Sequence, residues 1–253
     1  MMRRKASIGL THRVDLRGLP WALAGGVPVG WSPLDLPNLA LWFDASTITG
    51  IPDGGDISQW DDLSGNVRHA TQAVALDKPH FREAYRNGLG AVEFDGVDQW
   101  MDLDLSSAIA LADHTFIVAC ETRNTGTSAD QRFLYVNVGG DEFCVNSVTS
   151  TLGKLGWFDG AWESTVNATD GAQVLAFQLD DAGAEVFRDG VSIGAGLGLV
   201  AHQLADDAAL CGNNAGEYQF DGHLFEMILC SPMIDAINLI LAQNYLMAKW
   251  NIP

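Results

Sequence analysis

Basic residues, cysteines and helical periodicity are all scarce in this chain, and each shortage excludes something. Lysine and arginine together number 14 against 32 aspartates and glutamates, a formal net charge of −18. An acidic body of that size repels nucleic acid and anionic lipid at long range. Cysteine occurs four times, at Cys120, Cys144, Cys211 and Cys230, with no C-x-x-C pair. Zinc-ligand spacing is therefore missing, and the thiols are expected to be buried and free. No run reaches the roughly 20 apolar residues of a membrane span. Gly-x-Ser-x-Gly is absent, and His12, His69, His80, His114, His202 and His223 show no metal-ligand spacing. Gly194-Ala195-Gly196-Leu197-Gly198 follows a hairpin pattern instead of opening a helix, so it is no phosphate loop.

Helical periodicity appears once, at the end. Ser231 as N-cap and Pro232 at the first helical position predict a start there. From Ile234, the residues Ile237, Ile240, Leu241, Tyr245 and Leu246 recur at three- and four-residue steps, as one buried helix face requires. Lys249 falls in the last turn, where a cation suits the dipole. Everything before it reads as strands and turns. Candidate strands are 39–44, 91–94, 99–105, 115–121, 131–138, 143–149, 154–158, 172–179, 184–188, 207–211 and 218–230. Asp189-Gly190 is the strongest hairpin signal, because Asp-Gly favours the positive φ angles of a type I′ turn. Between Ala45 and Gly90 only turns and short irregular pieces are expected. This spacing predicts an all-β, antiparallel two-sheet sandwich with one C-terminal helix.

Residues 1–38 differ from the rest. Prolines at 20, 28, 33 and 37 and little periodicity suit an extended arm or linker ahead of a sandwich over 39–253. Residues 1–30 carry a net +4 and the remainder −22. Arg3, Arg4, Lys5, Arg13 and Arg17 could dock on an acidic partner or simply form a solvated terminus. Met1-Met2-Arg3-Arg4-Lys5 opens like a signal peptide, but Arg13, Asp15 and Arg17 interrupt the apolar core that should follow. Synthesis in the cytoplasm without a secretory signal is the expectation.

Several motifs together resemble the concanavalin A-like lectin/glucanase superfamily, in particular the laminin G-like jelly-roll domains of bacterial and phage proteins. They are Leu41-Trp42-Phe43-Asp44-Ala45-Ser46; Ser58 to Asn66 with His69-Ala70-Thr71-Gln72 and Lys78-Pro79; Asn87-Gly88 leading to Ala91-Val92-Glu93-Phe94-Asp95-Gly96-Val97-Asp98; Glu185 to Gly190; and Phe220-Asp221-Gly222 through Tyr245 to Ile252. The resemblance covers about residues 39–253 and implies two stacked, curved antiparallel sheets. It leaves activity open, since the fold carries lectins, hydrolases and virion components.

Hydrolysis of a glycoside needs two carboxyl groups across one cleft, about 5–9.5 Å apart. No Glu-x-Asp-x-x-Glu series occurs. Asp102-Leu103-Asp104 alternates, but Leu103 and Leu105 make an ordinary amphipathic strand. Glu142 and Glu163 are isolated; Glu226, inside an apolar strand, is the one acid that could be buried with a partner. The resemblance implies possible calcium sites, for which Asp95, Asp98 and Asp102 are the candidate ligands, although Asp-Gly pairs are equally turn residues. Trp157 and Trp162, in a glycine-rich segment read as a loop, could present rings to a sugar, with Asn213 and Asn214 hydrogen-bonding from another loop; the same rings could instead close one end of the sandwich. The leading expectation is a non-enzymatic phage structural or adhesion protein: capsid decoration, head fibre or tail. It would be held to other virion proteins by its arm and, by analogy, form a trimer. The alternatives are a lectin module for cell-surface glycan, in a virion or a cytoplasmic or extracellular bacterial protein, and then a glycoside hydrolase.

Overall fold

Strands alternate with tight turns through the described residues from Leu39 to Cys230. The computed structural model describes residues 26–103, 109–111, 113–123, 131–138, 141–148, 154–159, 162–180, 183–196, 202–204, 208–213, 215 and 217–253. Arg3, Arg4, Lys5, Arg13, Arg17 and Asn214 lie outside the described residues, as do the side chains of Trp157 and Trp162. In chain order come β1 (Leu39–Asp44), β2 (Gln59–Trp60), β3 (Ala70–Thr71), β4 (His80–Arg86), β5 (Leu89–Asp95) and β6 (Met101–Leu103). Then follow β7 (Ile109–Leu111), β8 (His114–Thr122), β9 (Gln131–Val138), β10 (Asp141–Val148), β11 (Lys154–Asp159) and β12 (Trp162–Asn167). The last are β13 (Gly171–Asp180), β14 (Gly183–Arg188), β15 (Val191–Gly196), β16 (His202–Leu204), β17 (Ala208–Leu210), β18 (Asp221–Cys230) and the helix α1 (Ala236–Trp250).

All pairings are antiparallel and build two eight-stranded sheets. The first runs β15-β14-β13-β8-β18-β5-β4, with β1 on the C-terminal half of β18; the second runs β12-β11-β10-β9-β17-β6-β3-β2. A two-stranded piece, β16 with β7, stands apart. Between the sheets Phe116 of the first, beside its neighbour Phe177, meets Phe133 of the second, and Phe220 joins Phe133 at 5.1 Å. The first sheet is also covered on its other face. There Leu239, Ala242, Leu246 and Trp250 of α1 pack on Ile117, Ala119, Val174, Ala176 and Ile228. Burial on both faces explains why β8 and β18 read as unbroken apolar runs instead of alternating. Trp31 and Leu36, ahead of β1, join this helix-side core, Trp31 lying 5.4 Å from the Tyr245 ring.

The expected sandwich and C-terminal helix are present, and Asp189-Gly190 makes the hairpin between β14 and β15 with φ of 50° and 78°. The helix start differs. Ser231 N donates to Asn38 O, continuing the sheet, and the helix begins only at Ala236, capped by the Asp235 carboxylate accepting from Asn238 N at 2.9 Å. The buried positions shift with it: Leu239, Leu241, Ala242 and Leu246 are buried, while Ile237 and Ile240 are half-exposed. At the other end Asn251 takes the left-handed conformation, and Arg86 and Asn87 donate to the last carbonyls, of Lys249, Trp250 and Asn251. These would otherwise be orphaned. β4 was unexpected because His80–Arg86 is an edge strand with a polar pattern. Trp157 and Trp162 lie on paired strands, β11 and β12, instead of in a loop.

Candidate functional site

Two β-bulges decide which polar side chains share a face. In β18 the register against β8 shifts between Leu224 and Glu226. Leu224 and Met227 face the second sheet, while Phe225 and Glu226 both turn toward α1. Glu226 is 0% exposed and accepts from Trp42 Nε1 at 2.8 Å, Trp250 Nε1 at 2.9 Å and Lys249 Nζ at 2.7 Å. Lys249 Nζ also donates to Asp44 at 2.5 Å, Asp44 being the cross-strand partner of Glu226. Burial, then the Asp44 charge, push Glu226 up to about 7, and burial pushes the Tyr245 phenol up to about 12. The acid flagged in the sequence is thus buried with a partner. Closed beneath the helix, this cluster offers no room for a substrate and serves to anchor α1.

A second network lies on the same face beyond the helix. Glu93 binds Arg82 and, at 2.9 Å, Arg123, whose Nε stands 3.3 Å from Asp221. Tyr85 stacks on His223 at 3.9 Å and donates to Glu121 at 2.8 Å. Burial and then the Arg123 charge press the His223 imidazole down to about 4. The carboxylates here are tied to guanidinium groups, which suits a structural brace.

The outer face of the second sheet has a different character. Register places Gln59, Thr71, Asp102, Ala209 and Tyr135 in one row across β2, β3, β6, β17 and β9. The same row runs on through Cys144 and Phe158 to Trp162. Trp162 is three strands from Tyr135, about 14 Å at the usual interstrand spacing. Trp157 lies on the next row, with Val145, Leu134, Leu210 and Met101. The second bulge, where β9 skips between Leu134 and Arg132 against β10, brings Arg132 onto the face of Tyr135, its guanidinium 5.0 Å from that ring. Arg132 also lies 3.6 Å over the Tyr218 ring. Trp100 and Ala209 pack against Tyr135 to complete a buried floor, with Tyr218 half-exposed and Asp102 exposed beside it.

The described part of the segment from Cys211 to Tyr218 borders this floor, with Gly212 against Trp100 and Tyr218 against Arg132. Both of its end residues adopt positive φ, 63° and 64°, which is strained for a thiol and a tyrosine side chain. The strain is held by Phe220 N donating to Cys211 O at 2.9 Å and Arg132 N donating to Tyr218 O at 3.1 Å. Asn213, 4% exposed, accepts from Ala215 N and Glu217 N through its side-chain oxygen, so it shapes the wall. Of the sugar-binding candidates Trp157, Trp162, Asn213 and Asn214, the structure puts Asn213 beside this floor and Trp162 on its backbone row, while the grouping of Trp100, Arg132, Tyr135 and Tyr218 was not foreseen from the sequence. The positive-φ positions carried no sequence signal, since neither is glycine or asparagine.

The proposed calcium ligands do not converge. The Asp95 carboxylate accepts from Val97 N at 2.9 Å within its own turn, and Asp102 stands on β6 in the sheet row. Burial, with the Asp95 and Asp77 charges, raises the Asp98 carboxyl. Among the described residues no group of three or more His, Cys, Asp or Glu side chains is placed to hold a metal ion. Cys120, Cys211 and Cys230 are buried free thiols, as expected; burial pushes Cys230 up to about 12.

The chain is thus an antiparallel two-sheet β-sandwich closed by a helix. It matches no family model and no curated protein. Among solved structures it is similar to domain 4 of AbnA, an extracellular GH43 arabinanase from Geobacillus stearothermophilus, in complex with arabinotriose. The TM-score is 0.58 at 14% identity, covering 83% of this chain and all of that domain. It is similar also to Trypanosoma rangeli sialidase (TM-score 0.57, 12% identity, 85% of this chain) and to the binding domain of Paraclostridial Mosquitocidal Protein 1 (0.56, 12%, 84%). This chain spans about a third of the sialidase chain and 52% of the mosquitocidal chain. At these identities the likeness is one of fold.

Proposed function

We propose that this chain is a non-catalytic glycan-binding module that uses the outer face of its second sheet. The observation that carries the reading is the walled aromatic floor there: Trp100, Tyr135 and Arg132 beneath a half-exposed Tyr218 and an exposed Asp102. A ring face beside carboxylate and amide groups is the chemistry that stacks on a pyranose and hydrogen-bonds its hydroxyls. A match along the full length of a domain solved with arabinotriose supports the same reading. The backbone register places Trp162 on the same cross-sheet row, at the β12 end. The virion reading draws on a resemblance to phage jelly-roll domains, an acidic exterior, free cysteines and a basic, proline-rich arm whose cations lie outside the described residues, and the three similar structures named above lend it no support.

A glycan array followed by calorimetry tests this. Wild type binds a defined oligosaccharide set, and Tyr218→Ala and Trp162→Ala each weaken binding about tenfold, the order of one lost stacking contact. Wild-type silence across the array, or wild-type affinity in both variants, refutes the reading. Release of reducing sugar, lost with a carboxylate substitution, would establish catalysis instead.

A further inference from the structure

The network that ties Glu93 to Arg82 and Arg123 also encloses an imidazole. Register places His80, Glu93, His223 and Glu121 in one row across β4, β5, β18 and β8. His223 is 4% exposed, and its Nδ1 is buried without a hydrogen-bond partner among the described residues. The Tyr85 ring closes over it at 3.9 Å. We propose that the Tyr85–His223 stack is an acid-operated latch: protonation of His223 frees the Tyr85 end of β4 and, with it, the last turn of α1. The latch is independent of glycan binding.

Side chains hold this end of β4 more than the sheet ladder does. Its pairing with β5 lapses between Arg82 and Arg86, and Ala84 sits at a φ of 48°, strained for an alanine. Tyr85 is kept in place by its stack on His223 and by donating to Glu121 at 2.8 Å. Arg86 and Asn87, next along the chain, donate to the carbonyls of Lys249, Trp250 and Asn251. The end of α1 therefore rests on the same few residues.

Inside the closed stack, a proton on His223 finds every facing carboxylate already engaged. Glu93, 3.6 Å from Nε2, binds Arg82 and Arg123. Glu121 takes the Tyr85 hydroxyl and stands 4.0 Å from Arg86. Asp221, two residues back on β18, faces Arg123 at 3.3 Å, and His80 is turned to Asp56 at 3.3 Å. Lys249 of α1 is bound to Asp44 and Glu226. Burial, then the Arg123 charge, accordingly hold the imidazole near 4 against an ordinary 6.5, with Glu93 and Glu121 opposing them. Lifting Tyr85 admits water to the ring and restores its ordinary affinity for a proton. Opening is then about 30-fold easier at pH 5 than at pH 7.5.

Hydrogen exchange of the full chain at pH 7.5 and pH 5, corrected for the intrinsic rate, tests this. In wild type, amides of residues 83–86 and 247–250 open about 30-fold more at pH 5, while those of β13 keep their protection. His223→Gln, which has no titrating group at this position, loses the pH dependence. Tyr85→Ala hydrates the imidazole and moves its NMR titration midpoint up toward 6.5. An acid response of equal size in His223→Gln, a response spread evenly over both sheets, or none in wild type overturns the latch. So does a His223 midpoint that stays near 4 in Tyr85→Ala. Should His223→Gln not fold, the wild-type exchange pattern and the Tyr85→Ala titration still decide.

Discussion

Replacing Glu226 by glutamine should change how stability depends on pH. The folded-state carboxyl titrates at about 7 against an ordinary value of 4.5, because it is wholly buried and faces the Asp44 charge. A carboxyl raised in the folded state favours folding when protonated. Its contribution is complete below about 4.5 and is lost as pH rises through about 7. At about 1.4 kcal/mol per pH unit, that interval amounts to about 3 kcal/mol. Lys249, whose pKa is raised by the Glu226 and Asp44 charges, stays protonated throughout. Wild type should therefore gain about 3 kcal/mol relative to Glu226→Gln between pH 8 and pH 4.5, other titrating groups cancelling in the difference. Urea unfolding followed by tryptophan fluorescence reads this directly, since Trp42 and Trp250 both donate to Glu226. A stability gap independent of pH, or one that widens in favour of wild type as pH rises, refutes the reasoning.

Lys249→Met leaves Asp44 and Glu226 buried without their cation and should cost about 3–5 kcal/mol, read by the same urea midpoints. Gly222→Ala places a Cβ 2.2 Å from Glu121 O at a φ of +152° and should abolish soluble folded protein, seen by circular dichroism. His223, held near pH 4 by burial and Arg123, contributes stability above its ordinary 6.5 that is lost as pH falls through about 4; NMR should show no imidazole titration between pH 6 and 8. Added calcium should leave Tm unchanged, because Asp95 already accepts from its own turn; a rise of several degrees would establish a metal site.

Local sequence determined much of the frame. Runs such as Gln131–Val138 and the Asp189-Gly190 turn specify strand and hairpin by side-chain shape and permitted φ, without reference to distant residues. The repeat of apolar residues before Trp250 specifies a helix in the same way. Long-range register decided the rest. A strict period of two puts Leu224 and Glu226 on one face; only pairing with β8 creates the bulge that sends Glu226 to the helix. The skip at Phe133 likewise brings Arg132 to Tyr135 and Tyr218. The helix waits until Asp235 because Ser231 is still bonded to Asn38, a contact across almost the whole chain.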